Sequence, residues 1–173
     1  MPTTKDRLMQ ALPDHSARRS FCLALIGFLV LTFAVAAVGG AVTASSVQTW
    51  YPTLNKPAFN PPDWIFGPVW TALYAMMAMS AALVWAGARP PARRTAITWF
   101  LIQLALNLGW SLLFFGLQQV ALAFGWLVLL WLAIAMTIRS FWPVSRPAGL
   151  LLVPYLAWVS FAGLLNFHIW RLN

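Results

Sequence analysis

The 173-residue sequence is poor in charge and nearly without acid: 8% of its residues are charged, and three Asp and Glu stand against eleven Lys and Arg. Soluble domains carry about 25% charged residues, so a water-soluble globule is excluded. Asp6, Asp14 and Asp63 are too scattered in the chain to pair, which removes hydrolysis by two cooperating carboxylates. Cys22 is the only cysteine, and this excludes an internal disulfide and a cysteine-cluster metal site. His15 and His168 stand singly, so no metal site is expected. No repeat of about 20 to 50 residues is visible.

What the chain has in abundance is apolar length, with 61% of its residues hydrophobic. The charged residues fall outside five apolar stretches, each near the about 20 residues that a helix needs to cross a bilayer. The spans are expected at 21–42, 65–87, 96–117, 120–138 and 148–170, which makes the protein an all-α membrane protein, a five-transmembrane-helix bundle. Residues 1–20 read as a polar tail, 21–173 as one membrane domain, and 44–64 as its one substantial loop. The small-residue end of the first stretch resembles a cleavable signal region. Its apolar run is longer than the about 7 to 15 residues of a signal core, so a retained span is expected. Alternating the loops between two sides places Lys5, Arg7, Arg18, Arg19, Arg89, Arg93, Arg94, Arg139 and Arg146 together, and leaves only Lys56 and Arg171 opposite. The positive-inside bias then sets the N-terminus in the cytoplasm and the C-terminus outside.

The loop is where the sequence becomes particular. Trp50, Tyr51, Phe59 and Trp64 alternate with Pro52, Pro57, Pro61 and Pro62; proline fixes φ and lacks a donor, so a stiff, partly extended excursion is expected rather than helix. Its rings need apolar surface, either the membrane interface or a cavity that the loop covers as a lid. Helical spacing gathers three faces: Trp70, Tyr74 and Met77 on the second span; Gln103, Asn107, Trp110 and Phe114 on the third; Tyr155, Trp158, Ala162 and Asn166 on the fifth. Carboxamides facing hydrocarbon are costly, so Gln103 and Asn107 should point inward, to a neighbouring helix or to a cavity. Pro154 should kink the last span. The three faces can line one cavity near the loop, and flat rings with an amide suit a large planar apolar guest. Proton or ion pathways normally need charged groups that these spans lack. Ala105 and Gly109 form a small-xxx-small pair on the third span, suited either to a dimer contact or to close packing within the chain.

The stretches WYPTLNKPAFNPPDWIFGPVWTALY (Trp50 to Tyr74), QLALNLGWSLLFFG (Gln103 to Gly116) and VPYLAWVSFAGLLNFHIWRLN (Val153 to Asn173) resemble the translocator protein and tryptophan-rich sensory protein family, also called peripheral benzodiazepine receptors. The resemblance implies a homodimeric five-helix bundle, in bacteria a protein of the cell membrane. It also implies binding of porphyrins such as protoporphyrin IX or haem-like tetrapyrroles, of sterols, and of benzodiazepine or isoquinoline-type drugs, with a regulatory or stress-sensing role. No cofactor is required, the porphyrin being a ligand. Carried over position by position, the ligand-binding residues are Tyr51, Pro61, Trp70, Tyr74, Asn107, Trp110, Trp158 and Ala162. Light-dependent porphyrin breakdown, where it occurs, points to Trp70 and Trp158. The family's sterol motif falls on Leu165, Phe167 and Arg171, with Phe167 in place of tyrosine. The alternative function is transport of porphyrin or lipid across the membrane.

Overall fold

The computed structural model describes the backbone of residues 15–173 and side chains from Arg18 onward. Among the described residues six α-helices follow one another: α1 (His15–Thr49), α2 (Phe66–Gly87), α3 (Pro90–Ser111), α4 (Val120–Phe141), α5 (Arg146–Leu151) and α6 (Val153–Leu172). Helices α5 and α6 form one span, so among the described residues five helical segments are long and apolar enough to cross a membrane. No strand occurs among the described residues. Of the expected polar tail, residues 1–14 lie outside the described residues, and 15–20 form the start of α1.

Helix α1 is longer than its apolar run at both ends, at 35 residues or about 52 Å. Nothing in the sequence breaks it before Pro52, and the lid is correspondingly shorter than 44–64. Helix α3 starts earlier than expected because Pro90 and Pro91 occupy its first turn, where a missing N–H costs nothing and the fixed φ suits the helix. It ends in a π-helical turn, Leu112–Gly116, which the sequence did not announce. Chain reversal to α4 uses Gln118 in the left-handed region, at φ 57°. The expected kink at Pro154 is a break: Leu152 carries φ −92° and ψ −10° between α5 and α6, and Pro154 sits in the first turn of α6.

The helices close a ring in which α1 packs on α2, α2 on α5, α5 and α6 on α4, α4 on α3, and α3 back on α1. At the end away from the lid the interior is solid. Phe100 stacks on Phe141 with ring centroids 6.3 Å apart, and the Phe28 edge meets Phe100 at 5.5 Å. The Ser80 hydroxyl donates to the Ala148 carbonyl at 2.6 Å and ties α2 to α5. Toward the lid the bundle is hollow. Helix α1 contributes least to the packed interior, and Leu23, Ile26, Val30 and Val38 remain exposed on its apolar surface, as expected of a helix facing lipid.

On α3, Gly109 of the small-residue pair has a neighbour within the chain. A Cβ at Gly109 would lie 2.7 Å from Trp126 Nε1, and that indole donates to the Leu106 carbonyl at 2.9 Å. The glycine admits an α4 ring from the same chain. Gly109 of the pair therefore packs within the chain, as one of the two expected readings had it, while Ala105 is exposed.

Candidate ligand cavity beneath the lid

The hollow end encloses one cavity of about 640 Å³, within the range of about 300 to 1,000 Å³ typical of small-molecule sites. Each expected face supplies part of its wall: Trp70 and Tyr74 from α2, Trp110 and Phe114 from α3 and its π turn, Trp158, Ala162 and Asn166 from α6. Trp70 lies 5.6 Å from the Tyr74 ring and Trp110 stacks on Phe114 at 5.3 Å, so the aromatic walls support one another. The π turn inserts an extra residue and brings adjacent Phe114 and Phe115 both to the cavity. Ser46 of α1 donates to the Phe115 carbonyl at 2.6 Å and secures this turn.

Asn166 is buried and uses both polar atoms of its amide: it accepts from Trp110 Nε1 at 3.1 Å and donates to the Val120 carbonyl at 2.9 Å. One carboxamide thus joins α3, α4 and α6 and sets the plane of the Trp110 indole. Asn107 stands behind the wall rather than in it. Its Oδ1 accepts from the Tyr74 hydroxyl at 2.6 Å, so tyrosine presents its ring to the cavity and its polar end to the amide. Gln103, one turn further from the lid, is also buried, with its amide nitrogen 3.8 Å from Met77 Sδ.

The lid consists of residues 50–65 and contains two short 3-10 turns, Tyr51–Thr53 and Asp63–Ile65, rather than a purely extended chain. Proline in the first turn of a helix is favourable, and Pro52 occupies that place. Tyr51 is buried over the cavity, with its hydroxyl donating to Asn60 Oδ1 at 2.7 Å. Lys56 donates to the Tyr51 carbonyl at 3.0 Å and lies 4.4 Å from the ring centroid. Burial, and secondarily the charge of Asp63, push the Tyr51 hydroxyl up to about 12 against the opposing Asn60 bond, so it is protonated at neutral pH. The lid is moored at its far side by a reciprocal clamp: the Asn55 N–H donates to Asn173 Oδ1 at 3.0 Å, and Asn173 Nδ2 returns a bond to the Asn55 carbonyl at 3.1 Å. Phe59 adds an edge contact to His168 at 5.2 Å.

Of the carried-over ligand residues, Tyr51, Trp70, Tyr74, Trp110, Trp158 and Ala162 line the cavity. Pro61 does not; its carbonyl accepts from Asn60 Nδ2 at 3.0 Å and so supports the residue that holds Tyr51. The three sterol-motif positions diverge. Leu165 lines the cavity, Phe167 sits on the outer surface against Phe124 at 5.4 Å, and Arg171 is exposed. The wall that the aromatic faces did not reveal is α1, where Ala36, Gly40, Ala44 and Gln48 line the cavity. Small residues four apart on one face were the available signal, masked by their likeness to a signal-peptide end. Gly40, Ala44, Gly67 and Thr71 are exposed as well as lining, which leaves the cavity open between α1 and α2. No cluster able to hold a metal ion occurs among the described residues.

These features define a multi-pass membrane protein with a lidded, aromatic cavity. Residues 28–171 match the model of the TspO/MBR family. The chain is 48% identical over 144 residues to the tryptophan-rich protein TspO of Chlorobaculum tepidum, covering 83% of this chain and 91% of that protein. It is 40% identical over 152 residues to protein CrtK of Rhodobacter capsulatus, covering 87% and 95% of the two chains. With the translocator protein of Bos taurus it shares 37% identity over 150 residues, 86% and 89% of the respective lengths. The chain belongs to the TspO/MBR family.

Proposed function

We propose that the cavity binds a planar, largely apolar tetrapyrrole of the protoporphyrin IX type, and that occupancy of this site serves a regulatory or stress-sensing role. The observation that carries the reading is the convergence of Trp70, Trp110 and Trp158 from three helices on one cavity of suitable size, under a lid fastened by Tyr51. Flat rings offer stacking worth about 0.5 to 1.5 kcal/mol per good pair beyond the area buried. The opening between α1 and α2 supplies a route from the bilayer, where such a guest dissolves, and it equally favours exchange of porphyrin or lipid with the membrane as the second reading. Sterols and isoquinoline or benzodiazepine-type molecules share the apolar, ring-rich character the walls accept. The N-terminus lies in the cytoplasm of a bacterial cell under the positive-inside bias, and the lid faces outward. The functional unit is a homodimer on the family resemblance, with its contact on a surface other than Gly109. Where light-driven porphyrin breakdown occurs, it involves Trp70 and Trp158, which line the cavity from α2 and α6.

Titration of the detergent-solubilised protein with protoporphyrin IX tests the binding reading. Saturable quenching of tryptophan emission is expected, with affinity reduced about ten-fold in Trp158→Leu, the equivalent of one lost ring contact. Equal affinity and equal quench in that variant would place the porphyrin elsewhere.

A further inference from the structure

The end of the bundle opposite the lid carries a second surface of defined chemistry. Arg89 precedes α3, and Arg93 and Arg94 lie near its start; Arg139 lies in the last turn of α4, and Arg146 opens α5. The α2–α3 and α4–α5 connections are neighbours in space. A Cβ at Gly87 would lie 3.9 Å from the Val144 side chain, and Ala88 and Val144 pack against the same apolar core. Arg89, Arg94, Arg139 and Arg146 are exposed. Arg93 is held back, with its guanidinium 4.9 Å from the Trp85 ring and Nη1 donating to the Trp85 carbonyl at 3.3 Å. The one acidic side chain among the described residues, Asp63, is at the lid end and offers these arginines no counter-charge. Trp85 and Trp142, 40% and 43% exposed, flank the two connections, and exposed indoles at the ends of spans mark the depth of lipid headgroups.

We propose that this face binds anionic phospholipid, with the guanidinium groups of Arg89, Arg94, Arg139 and Arg146 pairing with headgroup phosphates. Guanidinium forks match phosphate oxygens in a bidentate manner, which distinguishes this set from a run of lysines. A choline headgroup carries its own cation beside the phosphate, whereas a glycerol headgroup leaves the negative charge uncompensated. The surface therefore discriminates by net headgroup charge. Trp85 and Trp142 fix the depth at which the arginines meet those groups. The site is separate from the lidded cavity, and occupancy of one does not require the other.

Native mass spectrometry of the full chain, purified in mild detergent and offered equal amounts of phosphatidylglycerol and phosphatidylcholine, tests the assignment. The wild type should retain phosphatidylglycerol in preference. Arg139→Gln with Arg146→Gln should reduce that preference by at least five-fold, since each surface arginine contributes about that factor. Lys56→Gln, at the lid end, should leave it unchanged. Equal retention of the two lipids by the wild type, or a preference untouched in the double variant, would overturn the proposal. Displacement of the lipid by millimolar inorganic phosphate alone would identify a free-anion site and overturn the lipid assignment. Because the wild-type comparison stands by itself, poor folding of the double variant does not protect the proposal.

Discussion

Tyr74 and Asn107 show how a single polar pair shapes the cavity from behind. The phenol lies against the cavity while its hydroxyl donates to Asn107 at 2.6 Å inside the bundle. Asn107 Nδ2, Gln103 Oε1 and the Tyr155 hydroxyl are buried nearby without protein partners, so this layer holds more hydrogen-bonding capacity than it uses internally. Interhelical hydrogen bonds in membrane proteins average about 0.6 kcal/mol and reach about 1.7 kcal/mol in double-mutant cycles. Tyr74→Phe and Asn107→Leu are expected to lower unfolding free energy by about 1 kcal/mol each, with a coupling of about 1 kcal/mol in the double variant. Strictly additive losses, measured by unfolding in mixed micelles, would show that the pair does not act as a unit. The inward direction of Asn107 was legible from its cost in hydrocarbon. Its place behind a tyrosine, rather than in the wall, depends on how far apart α2 and α3 stand, which no spacing within one helix encodes.

Among the helices, α3 carries the most consequential difference between expectation and structure. Its small-residue pair was compatible with a contact between subunits, yet Gly109 receives Trp126 of α4. Gly109→Leu should therefore drive Trp126 from its bond to the Leu106 carbonyl and cost about 1 to 3 kcal/mol of stability, the range for overpacking a filled interior. The oligomeric state should not change. Thermal denaturation with light scattering checks both; a shift to monomer at unaltered stability would restore Gly109 to a subunit interface. Spans and faces were readable because charge is absent from them and because aromatic and amide residues recur every three or four positions. The π turn at Leu112–Gly116 was not readable, since LLFFG is equally compatible with α-helix and its register is set by Ser46 and Val42 of α1. The lid's prolines marked a connection outside the α-helices, but its mooring to Asn173 joins residues far apart in sequence. Local pattern carries no trace of such a clamp.

At the scale of the whole molecule, one bundle separates two environments: a solid end ringed by arginine and a hollow end roofed by aromatic residues. The hollow persists because α1 supplies small side chains where the other helices supply indoles, and the proposed function rests on that asymmetry. Gly40 lines the cavity, and a Cβ built there meets nothing within 4 Å. A side chain at this position therefore starts in open space at the cavity wall. Gly40→Trp is thus the most direct test: protoporphyrin IX affinity, measured by equilibrium titration in protein whose thermal stability and helicity match the wild type, should fall at least a hundred-fold. Undiminished affinity in that folded variant would contradict the assignment of the cavity as the binding site.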